Sequence, residues 1–282
     1  MGTKHDPLSE GELARYRLPE PLLRFLADYC ARTGRPPAQV RVLDWGCGRG
    51  RTVARLREMG YQAFGVEISR ETLENGRALF AERGWDPAEV LRQIEADGST
   101  PFDSRTFDVV ISQNVFEHVA DLGRVAREQA RLMKIGGRGL HHFPAHLRPV
   151  EGHLRMPFVH WLPKGELRRH AIVMFCRLGV GARWPHLEDL PWPEVARTYH
   201  QYSVEKTHYR RPAEIIATFR SNGLEAQLVS ADFNATLSRS PLLRRLASAG
   251  PVRPAVNGWL STFHSVDLLI EKKQQPGGHP LG

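Results

Sequence analysis

A doubly wound α/β fold follows from three features of this 282-residue chain. From Val40 onward, short apolar runs alternate with amphipathic stretches; a glycine-rich turn closes the first run; and an acid follows each of the first three. Alternation at this spacing predicts βαβ units around a parallel sheet. With 41% hydrophobic and 25% charged residues, the chain is too apolar for a disordered one.

The elements follow in order. Leu13, Tyr16, Leu22, Leu23, Phe25, Leu26 and Tyr29 recur at helical spacing within 9–33, and Pro19 and Pro21 split this stretch into two helices. Gly34-Arg35-Pro36-Pro37 ends it. Val40–Leu43 reads as a buried strand, 51–59 as a helix stopped by Gly60, and Ala63–Ile68 as the second strand. Ser69 is placed to cap a helix running to Ala81. Val90–Ile94 is a third strand and Phe107–Ser112 a strongly apolar fourth. A helix over 122–134, ended by Gly136-Gly137, leads into a fifth strand over 138–143. The alternation then fails amid prolines 144, 149, 157, 163, 185, 191 and 193. It resumes with a helix over 212–221 and strands over 224–229 and 263–270, giving seven strands in all. The domain reading is an N-terminal helical extension (1–36), a glycine-turn core (37–143), an insertion after strand five (144–210), the rest of the sheet (211–273) and a disordered tail (274–282).

Several classes are excluded. No apolar run approaches the ~18 residues that span a membrane, and Met1–Glu10 is polar, without a secretory core. Three cysteines (Cys30, Cys47, Cys176) lack CxxC spacing, so a reducing, cytoplasmic setting is expected. The net charge is +8, and 33 of the 39 basic residues are Arg, a fork suited to anionic partners. Nine of the 13 histidines fall between His141 and His208.

Val42-Leu43-Asp44-Trp45-Gly46-Cys47-Gly48-Arg49-Gly50 is the most informative stretch. Glycines at a strand-to-helix turn let a ligand approach the backbone. The dinucleotide GxGxxG pattern fails because position 51 is Arg, and no GK[ST] follows. Asp44, ahead of the first glycine, repels a pyrophosphate but suits a ligand bearing an amine. Glu67 lies 21 residues after Gly46, where an acid takes both ribose hydroxyls, and Asp97 stands where it accepts from an adenine amino group.

With these residues in place, the stretch resembles motif I of the class I S-adenosylmethionine-dependent methyltransferases, hydrophobic-D-x-G-x-G-x-G. Gly65-Val66-Glu67-Ile68-Ser69 is similar to the family's ribose-binding segment, Ala96-Asp97-Gly98 to its adenine segment, and Phe107–Val119, ending Glu117-His118-Val119, to its strand-four signature. The resemblance covers about Val40–Phe143 and implies a seven-stranded, mostly parallel sheet. It further implies S-adenosyl-L-methionine as cofactor, held by Asp44, Gly46, Cys47, Gly48, Glu67, Ile68, Asp97, Gly98, Gln113, Asn114 and His118. Trp45 departs from the smaller residue common there, and either packs at the methionine end or fills the sheet.

Methyl transfer to a hydroxyl profits from a base, and histidine titrates in the right range. His142, His146 and His118 are the candidates, since they follow strands four and five; His141 and His142 alternate, so one of them faces the crevice. His153 and His160 lie in the insertion, within reach of the acceptor. No metal site is expected: Pro144 spoils the i,i+4 pair His142/His146, and no acidic oxygen cluster is evident. Glu151–Pro163 resembles inserted segments of methyltransferases acting on sugars or glycan intermediates, so a saccharide oxygen is the expected acceptor, small or lipid-linked, with an anionic group compatible with the charge. Alternatives are an aromatic or lipid hydroxyl, an amine, or a non-catalytic cofactor-binding regulator. Amphipathic 165–181 leaves peripheral membrane contact open. Nucleic acid is not expected, because Gln113-Asn114-Val115-Phe116 replaces [DN]PP[YFW] and no Pro-Cys pair is present. The sequence does not address oligomeric state.

Overall fold

Strands with apolar side chains on both faces must be covered on both faces, and the chain does this with two sets of helices. The computed structural model describes residues 6–233 and 250–274. Helices α1 (Glu10–Arg15) and α2 (Glu20–Thr33) precede β1 (Arg41–Trp45), α3 (Arg51–Glu58), β2 (Gln62–Glu67), α4 (Arg70–Glu82), a short α5 (Pro87–Val90) and β3 (Leu91–Gln93). Then come β4 (Phe107–Gln113), α6 (Leu122–Leu132), β5 (Met133–Pro144), α7 (Glu166–Arg177), α8 (Trp192–Glu205), α9 (Pro212–Ser221), β6 (Glu225–Leu228), α10 (Ser230–Phe233), α11 (Arg253–Phe263) and β7 (Ser265–Glu271). The seven strands form one sheet in the order β3-β2-β1-β4-β5-β7-β6, with β7 antiparallel to its neighbours β5 and β6 and the rest parallel.

Side-chain alternation sorts the core into two layers. Val42, Ile111 and Leu140 pack with α2, α3 and α4 on one face; Leu43, Trp45, Val110 and Leu268 pack with α6 and α9 on the other. Trp45 therefore fills the core and points away from Asp44, its neighbour in the strand. Ser69 caps α4, its side chain accepting from Thr72 N at 3.2 Å, as the sequence predicts. Pro19 sits at the N-cap of α2 and Pro21 in its first turn, so the two prolines separate α1 from α2 without breaking either.

Two expectations need correction. Helix α6 ends at Leu132, and β5 begins at Met133, so Gly136-Gly137 lies within a strand beside an irregular register instead of ending a helix. Gly137 is required there by crowding: a Cβ would stand 2.8 Å from Lys134 O and 3.2 Å from Asp108 O. Within 144–210, where only residues 165–181 read as helical, both α7 and α8 form; prolines 191 and 193 occupy the N-cap and first turn of α8. Leu154, Met156, Val159, Ile172 and Tyr199 give this insertion its own small core. Arg168 turns inward and donates to the carbonyls of His160, Leu162 and Ser203. Of the tail 274–282, all but Gln274 lies outside the described residues. Among the described residues, no helix is long and apolar enough to cross a membrane.

One close approach joins helix to turn. A Cβ on Gly76 of α4 would collide with the carbonyl oxygen of Arg49, which belongs to the glycine turn. Gly76→Ala should therefore destabilise by about 1–3 kcal/mol in denaturant unfolding, the usual penalty of overpacking. Gly11→Ala, where the nearest atom is Arg15 Nη1 at 3.8 Å, should be neutral or slightly stabilising.

Candidate active site

The turn after β1 packs backbone instead of side chains at the carboxyl end of the sheet. Gly46, Gly48 and Gly50 adopt φ of 77°, 57° and 83°, in the left-handed region that glycine enters freely. Gly46 N and Cys47 N both donate to Val66 O, at 2.8 and 3.0 Å, tying the turn to the end of β2. Next in the chain is Glu67, whose carboxylate accepts from Gly48 N (3.1 Å), Ile68 N (2.9 Å) and Ser69 N (3.1 Å). Three amides hold this carboxylate still and leave acceptor capacity directed outward, as a ribose diol requires. Asp44 is buried and, among the described residues, meets no hydrogen-bond donor. Burial, with the nearby charge of Glu67, pushes its carboxyl up to about 7. A cationic amine would relieve both effects. Gln113 Nε2 is likewise buried without a partner. Asp97 is exposed, and its Oδ1 accepts from Ser99 N and Oγ, bonds that hold its carboxyl below the usual range. Gly98 follows with φ 83°, and Ile68 is largely exposed beside Glu67. Cys47 Sγ packs closely against Gly65, and burial raises its thiol well above the ordinary value, so this residue serves through its backbone. These residues fit an S-adenosylmethionine: an unpaired acid for the amine, a backbone-held acid for the diol, and bare backbone between them.

The N-terminal extension closes over this crevice, which sequence reasoning missed. Tyr16 Oη bonds Thr52 Oγ1 at 3.0 Å and lies by Asp44 and Gln113; burial raises its phenol. Arg49, nearly buried, donates to Asp6 O (2.8 Å) and Glu12 Oε1 (2.6 Å). Arg51 joins Glu12 at 3.1 Å and covers the Tyr16 ring at 4.9 Å. The two arginines of the glycine turn thus staple α1 across it.

Beyond β4 and β5 lies a second group. Asn114, at φ 53°, donates its N–H to His142 O at 2.7 Å, locking the two strand ends together. His141 and His142 divide as their alternation predicts. His141 is buried between Phe116 and Phe219, its Nδ1 2.8 Å from Ser112 Oγ, and burial lowers it to about 3, so it is a neutral core residue. His142 shares a face with Gln113, is partly exposed, and has its Nδ1 2.7 Å from Asp267 Oδ1. Burial pulls this imidazole down, but the bond to and charge of Asp267 outweigh it, and the net shift is upward. His118 sits on a 3-10 turn (Phe116–His118) with Nδ1 2.6 Å from Lys206 O. Next to it, Glu117 is buried with both carboxylate oxygens unpartnered, and burial raises it to about 7. His153 enters from the insertion, its ring centroid 4.7 Å from that of His118. His146 stands by Arg211 and His160; burial lowers both imidazoles, His160 to about 4. Glu117, Asp267 and Tyr16 were invisible as site residues because each is defined by distant neighbours; the Glu-His pair was the one local signal.

The comparisons agree with this geometry. Residues 43–140 match a family described as methyltransferase domain. A ubiquinone biosynthesis O-methyltransferase of Caulobacter vibrioides is 35% identical over 120 residues, 41% of this chain and 44% of that protein. One from Methylococcus capsulatus is 29% identical over 225 residues, 72% of this chain and 89% of that protein. The chain thus spans under half the length of the first curated relatives it matches, those of two Caulobacter strains at 44% each. An S-adenosylmethionine-dependent methyltransferase from Mesorhizobium loti shares the fold, with TM-score 0.50 and 14% identity over 86% of this chain and 95% of that one. Strand order, glycine turn and paired acids accord with that match: residues 43–140 form a methyltransferase domain, on the fold of the S-adenosylmethionine-dependent methyltransferases.

Proposed function

We propose that the chain methylates an oxygen of a hydroxylated small molecule, with the cofactor along Asp44, Gly48, Glu67 and Asp97 and the acceptor between His142 and the insertion. The supporting observation is the His142–Asp267 pair at the open end of β5, level with Gln113. The relatives' printed names favour oxygen as the methylated atom. They do not support the saccharide expected from 151–163, and the rings of His118, His153, Tyr202 and Trp184 favour a flat, apolar-faced acceptor instead.

When bound, the cofactor supplies a methyl group already activated by a sulfonium. The chain must then position and shield the acceptor. Holding two reactants in line is worth roughly 7–11 kcal/mol. The Asp267 carboxylate accepts a hydrogen bond, so His142 Nδ1 carries the proton and Nε2 the lone pair. Nε2 takes the acceptor's hydroxyl proton as the oxygen attacks, and Asp267 stabilises the imidazolium that results.

Calorimetry with S-adenosylhomocysteine tests the cofactor half. Glu67→Ala and Asp44→Asn should each weaken binding by about 10–100-fold, the range for hydrogen bonds to a charged group. Tyr16→Phe should cost ~3–10-fold. Binding unchanged by all three would overturn the placement.

A second test reads the base. His142 must be neutral to act, so activity rises with pH through its pKa. Asp267 raises that pKa, whereas Arg148 opposes it and Glu117 adds to it; His264 also lies close enough to feel its charge. Asp267→Asn should therefore shift the acidic limb of the kcat/KM profile to lower pH while lowering the rate. His142→Ala should lose about 10²–10⁴ in kcat. Full turnover in His142→Ala would reassign the base.

A further inference from the structure

The methyl-transfer reading leaves one buried acid unexplained. Glu117 is 2% exposed, and neither carboxylate oxygen has a hydrogen-bond partner. A buried carboxyl without partners is costly in either protonation state, since even the neutral acid keeps a donor to satisfy. Two imidazoles face it. His118 Nε2 lies 3.9 Å from Glu117 Oε1, too far for a hydrogen bond. His153 completes the group: one ligand atom from each of Glu117, His118 and His153 lies within 4.8 Å of the others.

The far side of each ring decides what this cluster can hold. His118 Nδ1 is 2.6 Å from Lys206 O, and a carbonyl only accepts, so the proton sits on Nδ1 and Nε2 carries the lone pair. His153 Nδ1 is 2.8 Å from Glu151 Oε1, which fixes the same tautomer. Glu151 is itself held by His153 N (2.8 Å), Leu154 N (2.5 Å) and Tyr209 Oη (2.6 Å). Imidazoles that donate one N–H to a carbonyl or carboxylate and so leave the other nitrogen as the ligating atom are the arrangement found around bound metal ions.

We propose that Glu117, His118 and His153 bind a divalent metal ion, with zinc the best match to two imidazoles and one carboxylate. The cluster differs from the pair His142/His146, which the proline between them disqualifies. It joins the strand-four turn to the insertion across 35 residues of chain, so no local spacing announces it. Three protein ligands leave a coordination position for an acceptor oxygen, which narrows the acceptor to one able to ligate a metal. That last step rests on the methyl-transfer reading: an acceptor hydroxyl held there would give its proton to His142 as its oxygen bonds the methyl carbon and the sulfur–methyl bond breaks, the electron pair staying on sulfur.

The test uses untagged, chelator-treated full-length protein without cofactor or acceptor, titrated with Co²⁺ and followed by visible absorption, then displaced with Zn²⁺. One equivalent should bind and be displaced by Zn²⁺. Glu117→Gln and His153→Asn should each weaken binding at least tenfold, and Glu151→Gln by about 10–100-fold as the group orienting His153. His170→Ala, on the exposed face of α7, should bind as wild type. Thermal unfolding of each variant in chelator separates lost ligation from lost fold. Absence of binding in the wild type, or binding unaltered by both Glu117→Gln and His153→Asn, would overturn the site. Because the readout needs no methyl transfer, and homocysteine-cofactor calorimetry reads the crevice separately, either reading can fail alone.

Discussion

Everything in the crevice depends on one carboxylate being held by backbone. Glu67 accepts from amides on both sides of a gap, Gly48 from the first turn and Ile68 and Ser69 from the second. The bonds fix the distance between the ends of β1 and β2, and hence where Asp44 stands relative to Glu67. The resulting proximity of two acids is unfavourable by itself, as the raised carboxyl of Asp44 records. Burial and repulsion are retained at a place where a cationic ligand would remove both.

The insertion attaches to the core through backbone carbonyls. His208 N donates to Glu117 O at 2.6 Å, and Arg210 spreads its guanidinium over the carbonyls of Phe116, Val119 and Ala120. His118 returns the bond through Lys206 O. This clasp brings Glu151, His153 and Tyr209 of the insertion against the turn after β4. In the proposed placement, wall and floor of the acceptor space come from parts of the chain with separate cores, so the joint between them would set its shape.

How much was legible follows from the range of the forces involved. Strands buried on both faces read as apolar runs, so β1, β2, β4 and β7 and the acids following β1, β2 and β3 stand out in the sequence. Gly136-Gly137 misled because glycine marks helix ends and crowded strands alike; only the carbonyls of Asp108 and Lys134 distinguish the two. Prolines 191 and 193 hid α8 because the first turn of a helix tolerates what its middle does not. His141 and His142, adjacent in sequence, could be assigned to opposite faces but not given roles until Phe219 and Asp267 were placed beside them. Partners this far apart in the chain leave no periodic trace.

The staple across the glycine turn has a kinetic consequence. With the cofactor placed as proposed, the spent molecule lies beneath Tyr16, and leaving by that face requires α1 to lift. The restraints differ in kind: Arg49–Glu12 is nearly sealed from solvent, whereas Arg51 is half exposed. Dissolved salt screens the second far more than the first. Residence time, rather than affinity alone, would then be written into the N-terminal segment, and turnover would be timed by a helix of six residues that takes no part in the chemistry.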